Sequence, residues 1–346
     1  MPINTSLKRG AALAMTAILA AQGMAAPSSK SKVATPRQIA HFGERPAYSA
    51  DGTKLAFMDQ TYGDAFEMDV KTGVVTLLTH YPNAGYLRVQ YLNNGDLFLI
   101  GARTYDGVDT TRDALQEMWV LKHNSTTPMP LNHKIWEGVA ISRLEGSTKI
   151  AWANSHDNMP SIPENISVIF TGNVEYDDSG NATLTNIEEM IRAEGPACTL
   201  EPQDFYQQDT RLTYTCYNDT LTPQTGSLWS LDLESRESTL FRFVPGQYNE
   251  IEGITPDGKY SMVESSLGEA EQDGNNFIDV WRMRNEANST DFVRITDFGL
   301  TPRNGANKGS NPVVSPDGKT MAFQGGHSGD AAGVGYGLYV VDLPKE

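Results

Sequence analysis

Cysteine is almost absent from this chain of 346 residues, which contains only Cys198 and Cys216. In an oxidising compartment two cysteines read as one disulfide that constrains the unfolded chain, and neither carries the activating surroundings of a catalytic thiol. Positive charge is also short. Lys and Arg number 27 against 43 Asp and Glu, for a formal net charge of -16, and such an acidic chain repels both nucleic-acid phosphates and anionic lipid. Of the 6 histidines, His80, His133 and His156 fall in loops of one face without short ligand spacing, so no metal is expected. Gly-X-Ser-X-Gly does not occur, which removes the nucleophile elbow of many hydrolases. Long apolar runs are missing too. The one from Ala11 to Ala21 is too short to span a bilayer comfortably and follows Lys8 and Arg9, with small residues for cleavage near Ala25 or Ala26. Residues 1–26 are therefore expected to be a signal peptide, 27–34 a disordered lead-in, and 35–346 the single domain.

What the chain has in quantity is one hairpin, repeated. Val313-Val314 and Met321-Ala322-Phe323 are short apolar runs joined through Ser315-Pro316-Asp317-Gly318, where Pro316 fixes φ and Gly318 is free to take a positive one. Related hairpins surround Asp51-Gly52 and Asp257-Gly258, and weaker ones surround Asn94-Gly95, Gly146 and Asp209. The six turn positions stand about 43–63 residues apart, a propeller-blade period once loop insertions are allowed. A third apolar strand follows each hairpin, as in 117–121, 227–232 and 278–283, and a fourth follows in most repeats, as in 239–243. The last repeat stops after its third strand at Glu346. Arg37-Gln38-Ile39-Ala40-His41-Phe42-Gly43 resembles the outer strand Val293-Arg294-Ile295-Thr296-Asp297-Phe298-Gly299, so the N-terminus is expected to complete it. The fold class read from this pattern is all-β, a six-bladed β-propeller of four-stranded blades closed by an N-terminal strand.

The Ser-Pro-Asp-Gly repeat resembles the TolB-like six-bladed propellers over nearly the whole mature chain. A second resemblance rests on Glu252-Gly253-Ile254, Val263-Glu264, Ile278-Asp279-Val280-Trp281, Asn311-Pro312-Val313-Val314-Ser315 and the loop Ser328 to Gly337. These segments look like the secreted fungal propellers named for saponin hydrolase. That likeness implies cleavage of a sugar, typically a glucuronosyl group, from a triterpenoid glycoside.

Chemistry is expected where the long loops gather, at the end of the blades away from the tight hairpin turns. Glu252 and Glu264 each flank a core strand at that end, and two carboxylates facing one pocket act as acid and base on a glycosidic bond or bind a cation. His327 with Asp330, in the Gly-rich loop 325–337, forms a candidate oriented general base; the loop lacks the Gly-Lys-Ser/Thr ending of a phosphate cradle. Arg103 and Arg303 are candidates for holding a ligand carboxylate, and His80, His133 and Trp136 for other ligand contacts. Glu269, Glu271 and Asp273 read as a solvated acidic loop. Sequons stand at Asn124, Asn165, Asn181, Asn218 and Asn288. The expectation is a secreted, extracellular, glycosylated, monomeric propeller enzyme without cofactor, taking a small-molecule or glycoside ligand at the loop-rich mouth. Two alternatives remain open: a non-catalytic propeller binding a ligand or cell-wall partner, and a secondary-metabolite lyase, isomerase or cyclase with Trp136, Tyr81 and Tyr105 lining an apolar pocket.

Overall fold

The computed structural model describes residues 35–80, 83–222, 224–267, 278–330 and 333–344. The expected leader and lead-in, Tyr81, Glu269, Glu271 and Asp273 lie outside them.

Ser49-Ala50-Asp51-Gly52, Thr255-Pro256-Asp257-Gly258 and Ser315-Pro316-Asp317-Gly318 close their hairpins with one set of hydrogen bonds. In the last, Ser315 Oγ donates to Asp317 (2.7 Å) and accepts from the Thr320 amide (3.0 Å), while Asp317 accepts from the Lys319 amide (3.1 Å). The same bonds recur around Asp51 and Asp257. Hydrogen bonds from Ser315 and Lys319 hold the Asp317 carboxyl at about 2. Gly318 takes φ 72°, which costs a glycine nothing. Around Asp209 the same bend is made without glycine, and Gln207, Gln208 and Asp209 all have positive φ. That is why this repeat is the hardest to see in the sequence.

Each hairpin grows into a four-stranded antiparallel sheet, and there are six. Their innermost strands are Glu44–Tyr48, Tyr86–Tyr91, Val139–Ile141, Thr199–Tyr206, Asn249–Ile254 and Lys308–Val314, taken here as the starts of blades I to VI. Blade VI is completed by Arg37–Ala40, which pairs antiparallel with Leu338–Asp342 and puts Arg37 opposite Val340. The N-terminal closure is thus as the sequence suggests, and it covers an edge that an open array would expose. The outer strands of blades II and III, Met129–Lys134 and Ala182–Glu194, have little apolar signature and come from the structure alone.

Apolar side chains fill the spaces between neighbouring blades. Leu87, Phe98 and Met118 of blade II pack in one cluster with Val139, Ile150 and Trp152 of blade III. This packing uses up the apolar faces and leaves the axis to polar residues.

Cys198 and Cys216 form a disulfide within blade IV. It closes a loop of 18 residues, and in the loop-entropy account such a crosslink is worth about 3 kcal/mol. The Cys198→Ser/Cys216→Ser variant is expected to lose about that much in denaturant unfolding; a midpoint unchanged from wild type would contradict it.

Five of the six innermost strands are interrupted on the way to the axis. Pairing slips between Glu44 and Ala47, Tyr86 and Arg88, Pro202 and Asp204, Ile251 and Gly253, and Ser310 and Val313. The residues in those gaps include Arg45, Gln203, Glu252 and Asn311. A bulge re-aims a side chain that strict alternation would send into the core. Arg45 and Asn311, each followed by proline, sit at φ 50° and 48°, a conformation that costs a non-glycine residue energy and recurs at functional sites.

Candidate functional site: a carboxylate-lined channel

The bulges turn polar residues into a cavity of about 370 Å³ at the axis, walled by the innermost strands and by the loops of the long-loop face. Its dense feature is a group of three glutamates. Glu250 and Glu252 come from the innermost strand of blade V and Glu264 from the next strand, Tyr260–Ser265. All three are buried, and each offers a carboxylate oxygen within 4.8 Å of the others. Asn311 of blade VI holds two of them, its backbone amide donating to Glu264 and its side-chain amide to Glu252. The blades can come this close because residue 253 is glycine: a Cβ there would lie 2.6 Å from the Pro312 carbonyl oxygen.

The three glutamates are not equivalent. Glu252 faces Arg88 of blade II, with Oε2 3.5 Å from Nη1. Glu250 accepts from Gln203 Nε2 at 3.3 Å and from the Tyr248 hydroxyl. Burial, reinforced by the charges of Glu252 and Glu201, pushes Glu250 well above the usual carboxylate range. Burial and the charges of Glu250 and Glu252 do the same to Glu264, against the Asn311 amide and Lys308. The cluster is therefore suited to keep protons in a cavity that also holds a carboxylate opposed to a guanidinium.

The opposite wall carries the cations. Arg45 Nη2 lies 2.9 Å from Glu137 Oε1, and Arg112 Nε lies 3.7 Å from Glu137 Oε2. Burial alone would raise Glu137, but Arg112, Arg45 and Arg88 outweigh it and hold the carboxyl at about 2. Among the described residues, Asp109, Asp113, Glu137, Glu201, Glu250, Glu252, Glu264 and Asp330 line the cavity with the cations Arg45, Arg112 and Lys308. Full ionisation would leave the wall strongly negative. Protons kept by the buried carboxyls, or a divalent cation held by Glu250, Glu252 and Glu264, would reduce that excess.

Glu201 tests the proton account. It is buried, accepts from the Tyr217 hydroxyl at 2.7 Å, and has one oxygen, Oε1, without a partner. Burial, then the charges of Glu137 and Glu252, raise it from the ordinary 4.5 to about 8. Below pH 4.5 the folded and unfolded chains both keep this proton. Between there and pH 8 the unfolded chain releases a proton that the fold retains, so stability falls as pH rises and levels off above pH 8. Glu201→Gln is expected to raise the melting temperature at pH 9 and leave it nearly unchanged at pH 4. An equal shift at both pH values would contradict the burial of an acid.

Of the candidates named from sequence, Glu252, Glu264, Trp136, His327 and Asp330 line the cavity. His327 and Asp330 are at its mouth. His327 Nδ1 accepts from the Gly329 amide at 3.2 Å and lies 4.0 Å from Asp330, whose carboxylate accepts from the Tyr336 hydroxyl. Arg103, Arg303, His80 and His133 stand off the cavity wall. Arg103 donates to Glu117 and Asn132 at 2.8 and 2.9 Å, and Arg303 pairs with Asp297 at 2.7 Å. His80 projects into solvent beside Asp64, while His133 sits on the outer strand of blade II, where burial lowers its pKa. Tyr105 packs on Tyr62 and is exposed, so of the two described members of the expected apolar trio only Trp136 is on the wall.

Sequence reasoning passed over Arg45, Arg88, Arg112, Glu201, Tyr217, Tyr248 and Asn311 as site residues. Two of them carried a signal. Arg45-Pro46 and Asn311-Pro312 both place a polar residue before proline, four positions ahead of the serine that starts the hairpin turn.

No protein-family model and no curated protein matches the chain. Solved structures do. A protein assigned as TolB from Agrobacterium tumefaciens is 14% identical with TM-score 0.54, over 80% of this chain and 97% of that one. A luciferin-regenerating enzyme is 10% identical with TM-score 0.54, over 90% and 96%. An oligogalacturonate lyase from Vibrio parahaemolyticus is 10% identical with TM-score 0.50, over 88% and 79%. The chain has the fold of the TolB-like six-bladed propellers, a fold whose members include enzymes. At these identities the likeness is one of fold.

Proposed function

We propose that this chain is a secreted propeller enzyme that cleaves a glycosidic bond in its channel, acting on a glycoside or glycosylated natural product. The observation that carries this reading is the convergence of Glu250, Glu252 and Glu264 on one cavity. Retaining glycoside hydrolysis pairs a proton-donating carboxyl with a nucleophilic one. Glu264, which burial favours in its protonated form, takes the first role, and Glu252, opposed to Arg88, the second. Glu264 gives its proton to the glycosidic oxygen as the C–O bond breaks, and a Glu252 oxygen attacks the anomeric carbon to form a glycosyl ester. Water then cleaves the ester and returns a proton to Glu264. Carboxyl groups about 5–5.5 Å apart suit this retaining route, whereas inversion needs about 6.5–9.5 Å. Oxygens within 4.8 Å favour retention.

The wall supports a hydroxylated ligand, because Trp136, Ile278 and Val334 are its few large apolar residues. Secretion is supported by the disulfide and by the exposure of Asn124, Asn165, Asn181 and Asn288. Asn218 is half-buried and accepts from the Thr220 amide. No helix among the described residues is long and apolar enough to cross a membrane.

The test is incubation of the secreted protein with plant saponins and fungal glycosides, read by mass spectrometry for loss of a sugar residue. Cleavage by wild type and none by Glu264→Gln or Glu252→Gln is expected; equal cleavage by all three would overturn the site. Binding without cleavage would instead indicate a non-catalytic propeller.

The excess of carboxylates over cations on the wall favours one other reading, in which a divalent cation bound by the three glutamates activates a water molecule. Melting curves with added Ca²⁺, Mg²⁺ or Mn²⁺ separate the two. A large metal-dependent stabilisation, lost in Glu250→Gln, would move the chemistry from protons to the metal.

A further inference from the structure

The channel is not the only recess on the long-loop face. A second cavity of about 510 Å³ lies between the loops of blades III and IV, and it shares two residues with the channel cavity, Trp136 and Asp113. These two form the partition. The Trp136 indole N–H donates to Asp113 at 3.2 Å, and the ring stands edge-on to Tyr217 of the channel wall at 6.1 Å. Asp113 belongs to the single wide helical turn Thr111–Leu115, on the loop that also carries Arg112 over the channel. A molecule that reaches this pair from the channel therefore stands at the edge of the second cavity.

The charge of the second cavity differs from that of the channel. Asp113, Asp157, Glu164 and Asp219 line it with His156, and among the described residues no Lys or Arg does. Asp157 and Glu164 are exposed and present acceptors to a ligand, while Asp219, also exposed, accepts from Thr199 and Gln224. Carboxylates without opposing cations reject an anionic group and accept from hydroxyls. A large aromatic edge at the entrance supplies contact area for the carbon face of a sugar ring.

We propose that the second cavity is a binding subsite for the next sugar of the substrate, neutral and rich in hydroxyls, with Trp136 and Asp113 at the junction between the two rings. This rests on the reading of the channel as a glycoside site. It makes the preferred substrate a chain of at least two sugars rather than a single sugar on an aglycone, and it excludes a uronic acid from the second position.

The experiment is calorimetric titration of the full secreted protein, freed of N-linked glycans because Asn165 lines the cavity and carrying Glu264→Gln to prevent turnover, with methyl glucoside, cellotetraose, laminaritetraose, maltotetraose and a glucuronate-bearing tetrasaccharide. At least one neutral tetrasaccharide is expected to bind about tenfold or more tightly than methyl glucoside, which is about 1.4 kcal/mol. Thr199→Trp, on the cavity wall, is expected to abolish that advantage, as is Glu164→Trp at an exposed position where folding is not at stake. An advantage that survives both variants, or no neutral tetrasaccharide outbinding methyl glucoside, overturns the subsite. The two readings fail separately. A tetrasaccharide advantage lost on filling the cavity, in a protein that cleaves nothing, keeps the subsite and removes the catalysis; cleavage of simple glycosides without any advantage does the reverse.

Discussion

Glu264→Gln is expected to lower the rate of glycoside cleavage by about 10²–10⁴-fold, the range that a positioned general acid supplies, without a matching loss of stability. Glutamine keeps the shape and one hydrogen-bond acceptor, so the Asn311 amide that donates to Glu264 retains a partner. The folded protein already favours the uncharged form of Glu264, because burial and the neighbouring Glu250 and Glu252 penalise its charge. A neutral isostere removes the transferable proton and relieves that penalty, so the melting temperature at neutral pH should hold or rise. Rate and stability must be measured on the same preparation. A fall in melting temperature that tracks the fall in rate would make Glu264 a structural residue.

Arg45→Met is expected to show the opposite pattern, a large loss of stability. Arg45 is buried, its Nη2 lies 2.9 Å from Glu137 and its Nε 3.8 Å from Glu44, and its backbone amide donates to Gln324 of blade VI at 2.7 Å. Removing one partner of a buried ion pair strands the other charge, at a cost of about 3–5 kcal/mol. Here two carboxylates lose their common cation, and Glu44 already has an oxygen without a partner. Denaturant unfolding should place Arg45→Met near that range, with Arg45→Met/Glu137→Gln recovering part of the loss. Arg103→Met is the control, since its pair with Glu117 is half-exposed and worth about 0–1 kcal/mol. Equal effects at Arg45 and Arg103 would contradict the account of the channel.

The propeller was legible because each Ser/Thr-X-Asp-Gly hairpin is encoded by contacts within six residues, and local signals of that kind repeat visibly. The closure was legible because Arg37 to Gly43 carries the same side-chain order as an outer strand elsewhere. The outer strand Ala182–Glu194 was not, since a long, exposed and highly charged strand has no apolar alternation to read. At the site, Glu252 and Glu264 were found from their position at the loop-bearing ends of core strands. Glu201 and Arg88 were missed because their importance comes from who faces them across the axis, from blades IV and II respectively. Glu201 further depends on residue 138 being glycine, where a Cβ would lie 2.3 Å from its Oε1. No spacing along the chain records that contact. The histidine reading drew on the unusual composition of loop 325–337, and the structure puts His327 at the rim, 4.0 Å from the aspartate expected to orient it.

The central claim is that Glu264 keeps its proton in the channel, beside the nucleophile Glu252. Infrared difference spectroscopy at neutral pH, comparing wild type with Glu264→Gln, observes it most directly. Wild type is expected to show the carbonyl stretch of a protonated carboxylic acid, and Glu264→Gln to lose it. A spectrum in which Glu264→Gln removes only an ionised-carboxylate band would contradict the account.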